Sequence, residues 1–93
     1  MSSGFRAKPE QVQLLVLERV DPARNMARYY VLSVEPTLFG DAALVREWGR
    51  IGRPGRRRLD LYAMESEARV SLNDWFARKL KRGYRFRCEA RQR

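Results

Sequence analysis

Apolar and polar positions alternate with a period of two along most of the first sixty residues, and the period changes to that of a helix only near Glu65. Residues 12–20 (VQLLVLERV) are rich in branched side chains and short enough for a strand. The segment Asp21-Pro22-Ala23-Arg24-Asn25 has turn chemistry, because Asp bonds the backbone ahead of it and Pro presets its own φ. Residues 27–35 (ARYYVLSVE) place aromatic and β-branched groups where a pleated surface favours them. A loop containing Gly40 leads to residues 43–52 (ALVREWGRIG), a third strand whose Gly49 and Gly52 suggest a bulge or a close backbone approach. Arg53-Pro54-Gly55-Arg56 reads as a type II turn, and residues 57–63 (RRLDLYA) as a fourth strand.

Ala68, Leu72, Trp75, Phe76 and Leu80 then fall on one face of a helix over residues 65–82. Ser66 is the expected N-cap and Gly83 the residue after the C-cap. The alternation returns in residues 84–88 (YRFRC), a candidate fifth, edge strand. The short connections predict an antiparallel meander. The expected fold is α+β, a four- to five-stranded antiparallel sheet packed against one main helix. Residues 11–88 form the single domain, residues 1–10 a flexible leader and residues 89–93 a basic tail.

Charge changes this picture from a fold to a surface. Twenty Lys and Arg against eleven Asp and Glu give a net charge of +9 in 93 residues. The excess is segregated: residues 46–58 carry six Arg and one Glu, and residues 78–93 carry eight basic residues and one Glu. The rest of the chain is net acidic. Segregated positive charge calls for a polyanionic partner: DNA first, with RNA or an acidic protein as the alternatives. Arg supplies seventeen of the twenty cations, with Lys only at 8, 79 and 81. The planar guanidinium fork matches phosphate oxygens two at a time.

In an extended strand, Arg46, Trp48 and Arg50 project to one face together with Leu44. Two readings stand open at this point. The indole is either a stacking platform between two phosphate clamps, or a core residue with flanking arginines reaching out to solvent. Arg53, Arg56, Arg57 and Arg58 crowd the next turn, and Lys79, Lys81 and Arg82 crowd the helix end, beyond what capping the helix dipole requires. Trp75 and Phe76 belong to the helical stripe and are assigned to the core. Tyr29 and Tyr30 point to opposite faces.

Other chemistry is thinly supplied. The chain has no histidine and one cysteine, Cys88, so a Cys/His zinc site within one chain, a His base and an intramolecular disulfide are excluded. No Gly-rich loop has phosphate-binding spacing. No catalytic residue, metal or cofactor is assigned, and a non-enzymatic protein is expected. No apolar run approaches the ~20 residues of a membrane span, and membrane attachment is not expected. A cytoplasmic location follows by default, at the nucleoid if the source is bacterial.

Trp48-Gly49-Arg50-Ile51-Gly52 followed by Pro54-Gly55-Arg56 resembles the signature of the WGR domain, found in poly(ADP-ribose) polymerases and in stand-alone bacterial proteins. Asp21, Asn25 and Tyr30 fit the family's early segment, Ala68 and Phe76 its helix, and residues 79–84 (KLKRGY) the ending of bacterial members. The resemblance implies an antiparallel sheet on one helix. It also implies contact with a DNA strand end, with the signature Trp stacking on sugar and the signature Arg beside it. By position those roles fall on Trp48 and Arg50. No transferase domain fits in this chain, so ADP-ribosylation is not carried over. The competing expectation is a protein-interaction module in which the same Trp48 and Arg50 form the contact centre.

Overall fold

The computed structural model describes residues 13–91 of the chain. Strands β1 (Gln13–Asp21), β2 (Met26–Pro36), β3 (Ala42–Arg50) and β4 (Arg56–Tyr62) form an antiparallel meander. Helix α1 (Glu65–Lys81) follows, and β5 (Arg85–Arg91) returns antiparallel beside β1. The sheet order is β4-β3-β2-β1-β5. The helix therefore leaves one edge of the sheet and delivers the chain to the other. Four inter-strand spacings come to about 19 Å, and seventeen helical residues rise about 25 Å, so one helix suffices to cross the face.

The crossing is what gives the domain its core. Leu15 and Leu17 of β1, Leu32 and Val34 of β2, and Leu44 of β3 alternate onto the helix side and are buried there against Ala68 and Leu72. Ala68 is wholly buried, and its single methyl lets the helix approach the strands closely. Tyr62 at the end of β4 donates its hydroxyl proton to Ser71 at 2.9 Å, tying the start of the helix to the sheet edge.

Several sequence expectations shift in detail. The N-cap is Met64 rather than Ser66, and the Glu67 carboxylate accepts the Met64 backbone N–H at 3.3 Å, so a side chain inside the helix satisfies the exposed donor. At the other end Gly83 has φ +96°. Its N–H donates to Leu80 at 3.1 Å, and the Tyr84 N–H donates to Lys79 at 3.1 Å, a Schellman closure that turns the chain towards β5. Leu80 is 42% exposed and drops out of the core stripe. β5 runs to Arg91, so the segment expected to be a tail from residue 89 continues the sheet. The expected leader lies outside the described residues, apart from which the domain begins with β1 at Gln13.

Of the two roles expected for Gly49, a bulge or a close backbone approach, the structure shows the second, and the tight turn lies elsewhere than at Pro54-Gly55. β3 pairs with β2 without interruption from Ala42 to Arg50, so Gly49 makes no bulge. The ladder irregularity lies instead between β1 and β5, at Val16/Leu17. The tight turn is Arg50–Arg53, closed by the Arg53 N–H on the Arg50 carbonyl at 3.1 Å, with Gly52 at φ +87°. Only Gly relaxes fully at that backbone angle. Gly55 does not occupy a positive-φ position. It lies against the Trp48 carbonyl and the Tyr29 hydroxyl, where a Cβ would overlap both, and a Cβ on Gly49 would come within 2.8 Å of its Cα. The two glycines thus permit the hairpin to fold back on Trp48.

Candidate nucleic-acid interface

The helix-side alternation of β3 continues past the core in the order Ala42, Leu44, Arg46, Trp48, Arg50, from buried to exposed. On β2 the same face carries Val34, Leu32, Tyr30 and Arg28, with Tyr30 directly opposite Trp48 and Arg28 opposite Arg50. Beyond the last core residue, the sheet and the C-terminal half of α1 diverge and leave an open cavity of about 610 Å³. Trp48, Arg50, Arg28 and Tyr30 line it from the sheet, Trp75 and Lys79 from the helix, and Tyr84 from the turn after it.

Aromatic rings form its inner surface. The Tyr30 ring, 3% exposed, lies 5.8 Å from Trp48 at an interplanar angle of 14° and 6.5 Å from Trp75 at 21°. Tyr84 stands edge-on to Tyr30 at 75°. The Trp48 indole packs on the core through Tyr30, is only partly buried and lines the cavity. Trp75 departs from its expected role as a pure core residue, since its ring also faces the cavity under the Arg46 guanidinium.

Arg46 and Arg50, alike in sequence, are placed differently. Arg46 is buried, donates to the Tyr30 hydroxyl at 3.1 Å, pairs with Asp60 at 3.6 Å and stacks over Trp75 at 4.0 Å. It is therefore not a free clamp at the rim but a fixed charge in the cavity wall, and its Nε has no hydrogen-bond partner among the described residues. Arg50 is exposed and is oriented by Asn25, whose backbone carbonyl accepts at 3.2 Å and whose side-chain oxygen accepts at 3.3 Å. Asn25 sits at φ 52° after the one-turn 3-10 helix Pro22–Arg24, a left-handed position that Asn tolerates better than most residues. The early Asn25 and Tyr30 thus meet the Trp48–Arg50 segment in space: Asn25 aims Arg50, and Tyr30 supports Trp48.

The remaining basic residues divide between surfaces. Arg56 and Arg58 lie opposite Trp48 and Arg46 and share their face, whereas Arg57, opposite Glu47, projects to the other side of the sheet. Arg58 is also drawn to Asp60 at 3.5 Å. Arg53 is exposed at the hairpin tip. Of the helix-end residues, Lys79 enters the cavity, while Lys81 and Arg82 are exposed outside its lining. Arg28, Tyr30, Trp75 and Tyr84 complete the site without having been singled out by charge runs. The period-two register of β2 carries the signal for Arg28 and Tyr30, but the helix residues become visible only once the crossing angle is known.

Among the described residues no Asp or Glu lines the cavity. Lys79 lies 4.4 Å from the Tyr30 ring centroid and 5.7 Å from that of Tyr84. Its pKa is held below the ordinary lysine value, first by partial removal from water and then by the Arg82 and Arg46 guanidiniums. A phosphate placed beside Lys79 would offset that repulsion and raise the pKa, so binding it would take up protons. Anion affinity is accordingly expected to fall as pH rises from below the free-state pKa of Lys79 through the bound-state value. The Lys79→Arg variant, which stays charged, is expected to show a flatter profile. Titrations of a phosphorylated duplex at stepped pH values check this, and identical profiles for the two proteins would remove Lys79 from the anion site.

Among the described residues no cluster of His, Cys, Asp and Glu could hold a metal ion, and no helix is long and apolar enough to cross a membrane.

The chain is 51% identical over 71 residues to the uncharacterized protein y4dW of Sinorhizobium fredii (strain NBRC 101917 / NGR234), an overlap covering 76% of this chain and 35% of that protein. It thus spans about a third of the length of this curated relative. No solved structure matches it. The WGR domain family, often linked to nucleic-acid binding, matches residues 13–91, from the first strand to the end of the fifth. With its Trp48-Gly49-Arg50 signature at the mouth of the cavity, this chain belongs to the WGR family.

Proposed function

We propose that the protein is a non-catalytic module that binds double-stranded DNA, with strand ends and nicks as its preferred sites. The observation that carries this reading is the cavity beside Trp48: aromatic walls, four cations (Arg28, Arg46, Arg50 and Lys79) and no lining carboxylate. Such a surface favours anionic ligands over cationic ones. It suits a group with one flat or apolar face and an anionic edge, as a sugar-phosphate terminus has. An end or nick exposes that face, whereas a continuous duplex presents mostly phosphates. Arg53, Arg56 and Arg58 on the hairpin extend the contact along the backbone beyond the terminus.

The experiment is fluorescence anisotropy with a short blunt duplex across a salt series, with closed circular DNA as competitor. If roughly five phosphates are neutralised, log affinity falls with log salt at a slope of about −4.5. Between 50 and 200 mM salt that corresponds to a loss of several hundred-fold. Weak displacement by circular DNA is the expected result for an end-preferring module. Equal displacement would mean general backbone binding, and stronger displacement by duplex RNA would move the reading to RNA. A flat salt dependence, or no binding at low salt, would remove the nucleic-acid reading in favour of an acidic protein partner at the same Trp48–Arg50 surface.

A further inference from the structure

The cavity is deeper and more aromatic than contact with a sugar-phosphate edge requires. Its volume of about 610 Å³ lies within the range of small-molecule sites. The rings of Trp48 and Trp75 both lie within 21° of parallel to Tyr30, and the Arg46 guanidinium lies over Trp75 at 4.0 Å, so the lining offers a planar group aromatic and guanidinium surfaces from the sheet and from the helix. Tyr84, nearly perpendicular to Tyr30, forms an end wall. Arg28 and Arg50 flank the sheet side of the mouth, and Lys79 provides charge from the helix. Within the wall, the side chain of Arg46 is about nine-tenths buried, and its Nε has no hydrogen-bond partner among the described residues. A buried guanidinium donor without an acceptor is costly unless a ligand supplies one.

We propose that this cavity takes one whole unpaired nucleotide, base included, with the base against the indoles and the phosphate among Arg28, Arg50 and Lys79. The ligand class is a nucleoside 5′-monophosphate, purines above pyrimidines because their larger π-face stacks over more ring. It can come as the free molecule or as an unpaired residue at a strand terminus. The second source rests on the DNA reading given above, and the first does not.

Tryptophan fluorescence of the full chain, titrated with dAMP, deoxyribose 5-phosphate and inorganic phosphate, tests the proposal. dAMP is expected to quench the indole emission and to bind about tenfold or more tightly than the sugar phosphate, the difference being the stacked base. Trp75→Phe, with its fold verified by thermal melting, is expected to shrink that preference severalfold. Anisotropy with a duplex carrying one unpaired terminal adenine then identifies the source. Tighter binding than to the blunt duplex assigns the site to strand termini. dAMP binding without that gain assigns it to free nucleotide, whether or not duplex DNA binds at all. If dAMP binds no more tightly than deoxyribose 5-phosphate and the overhang adds nothing, the base does not enter and the proposal is overturned. Retained binding of the blunt duplex in that case would leave the DNA reading standing.

Discussion

Replacing Trp48 by alanine is expected to weaken binding to a DNA end by about 1–3 kcal/mol, roughly five- to 150-fold, while the domain stays folded. The indole stands at the boundary between core and cavity. Its inner side packs on Tyr30 at 5.8 Å, and the side chain remains partly exposed beyond the last core position of β3. Truncation removes the stacking face at the cavity mouth but leaves Leu44, Leu32, Leu17 and Ala68, all wholly buried, in contact with their neighbours. Stability is therefore expected to fall by less than the cost of a fully buried Trp, about 3–5 kcal/mol. The measurement is duplex affinity beside a denaturant melt of the same protein. Unchanged affinity with a large loss of stability would make Trp48 a core residue and end its role as a platform. Trp48→Phe separates the two contributions further, since it retains an aromatic face and is expected to recover part of the affinity.

The second large effect concerns Gly55→Ala, a change of one methyl group that leaves every charge in place. The added Cβ would overlap the Trp48 carbonyl oxygen and the Tyr29 hydroxyl, with the Gly49 backbone immediately behind. The carbonyl is main chain of a strand paired on both sides and cannot turn aside as a flexible side chain would. The hairpin must then lift away from β3 or the strand must bend. Strain of this kind is expected to cost about 3 kcal/mol, which for a domain of this size lowers the melting temperature on the order of 10–20 °C. DNA affinity is expected to drop as well, because the same displacement moves Trp48 and carries Arg53, Arg56 and Arg58 off the sheet margin. A Gly52→Ala control faces no steric neighbour, only an unfavourable φ of +87°, and is expected to cost less, about 1 kcal/mol. Calorimetric melts of the two variants check the order. Equal melting temperatures for Gly55→Ala and the parent protein would show that the hairpin does not pack as described.

The contrast between these glycines illustrates what the chain reveals in one dimension. Pro54-Gly55 reads as the centre of a turn because turns favour that pair, yet the turn centres on Ile51-Gly52 and Gly55 serves a close approach. Local preference marks a position as special without saying which constraint makes it so. Steric contact with Trp48 and Tyr29 arises only when β2, β3 and the hairpin are assembled.

What the sequence alone determined is the order of strands and helix, the antiparallel meander through β4, and the sharing of one face by Arg46, Trp48 and Arg50. These follow from a period of two against a period of 3.6, which are local properties of the backbone. The tertiary structure decided the depth at which each residue sits. The helix must cross from β4 to β5, and its far end stands off the sheet beside Trp48. That divergence makes Trp75 both a core and a cavity residue and brings Lys79 inside while Lys81 stays out. It also leaves Arg46 in the wall against Asp60 and Trp75, although Arg50, two residues on, reaches solvent. Alternation assigns a side, and only packing between a twisted sheet and one crossing helix sets how far from water each side chain ends.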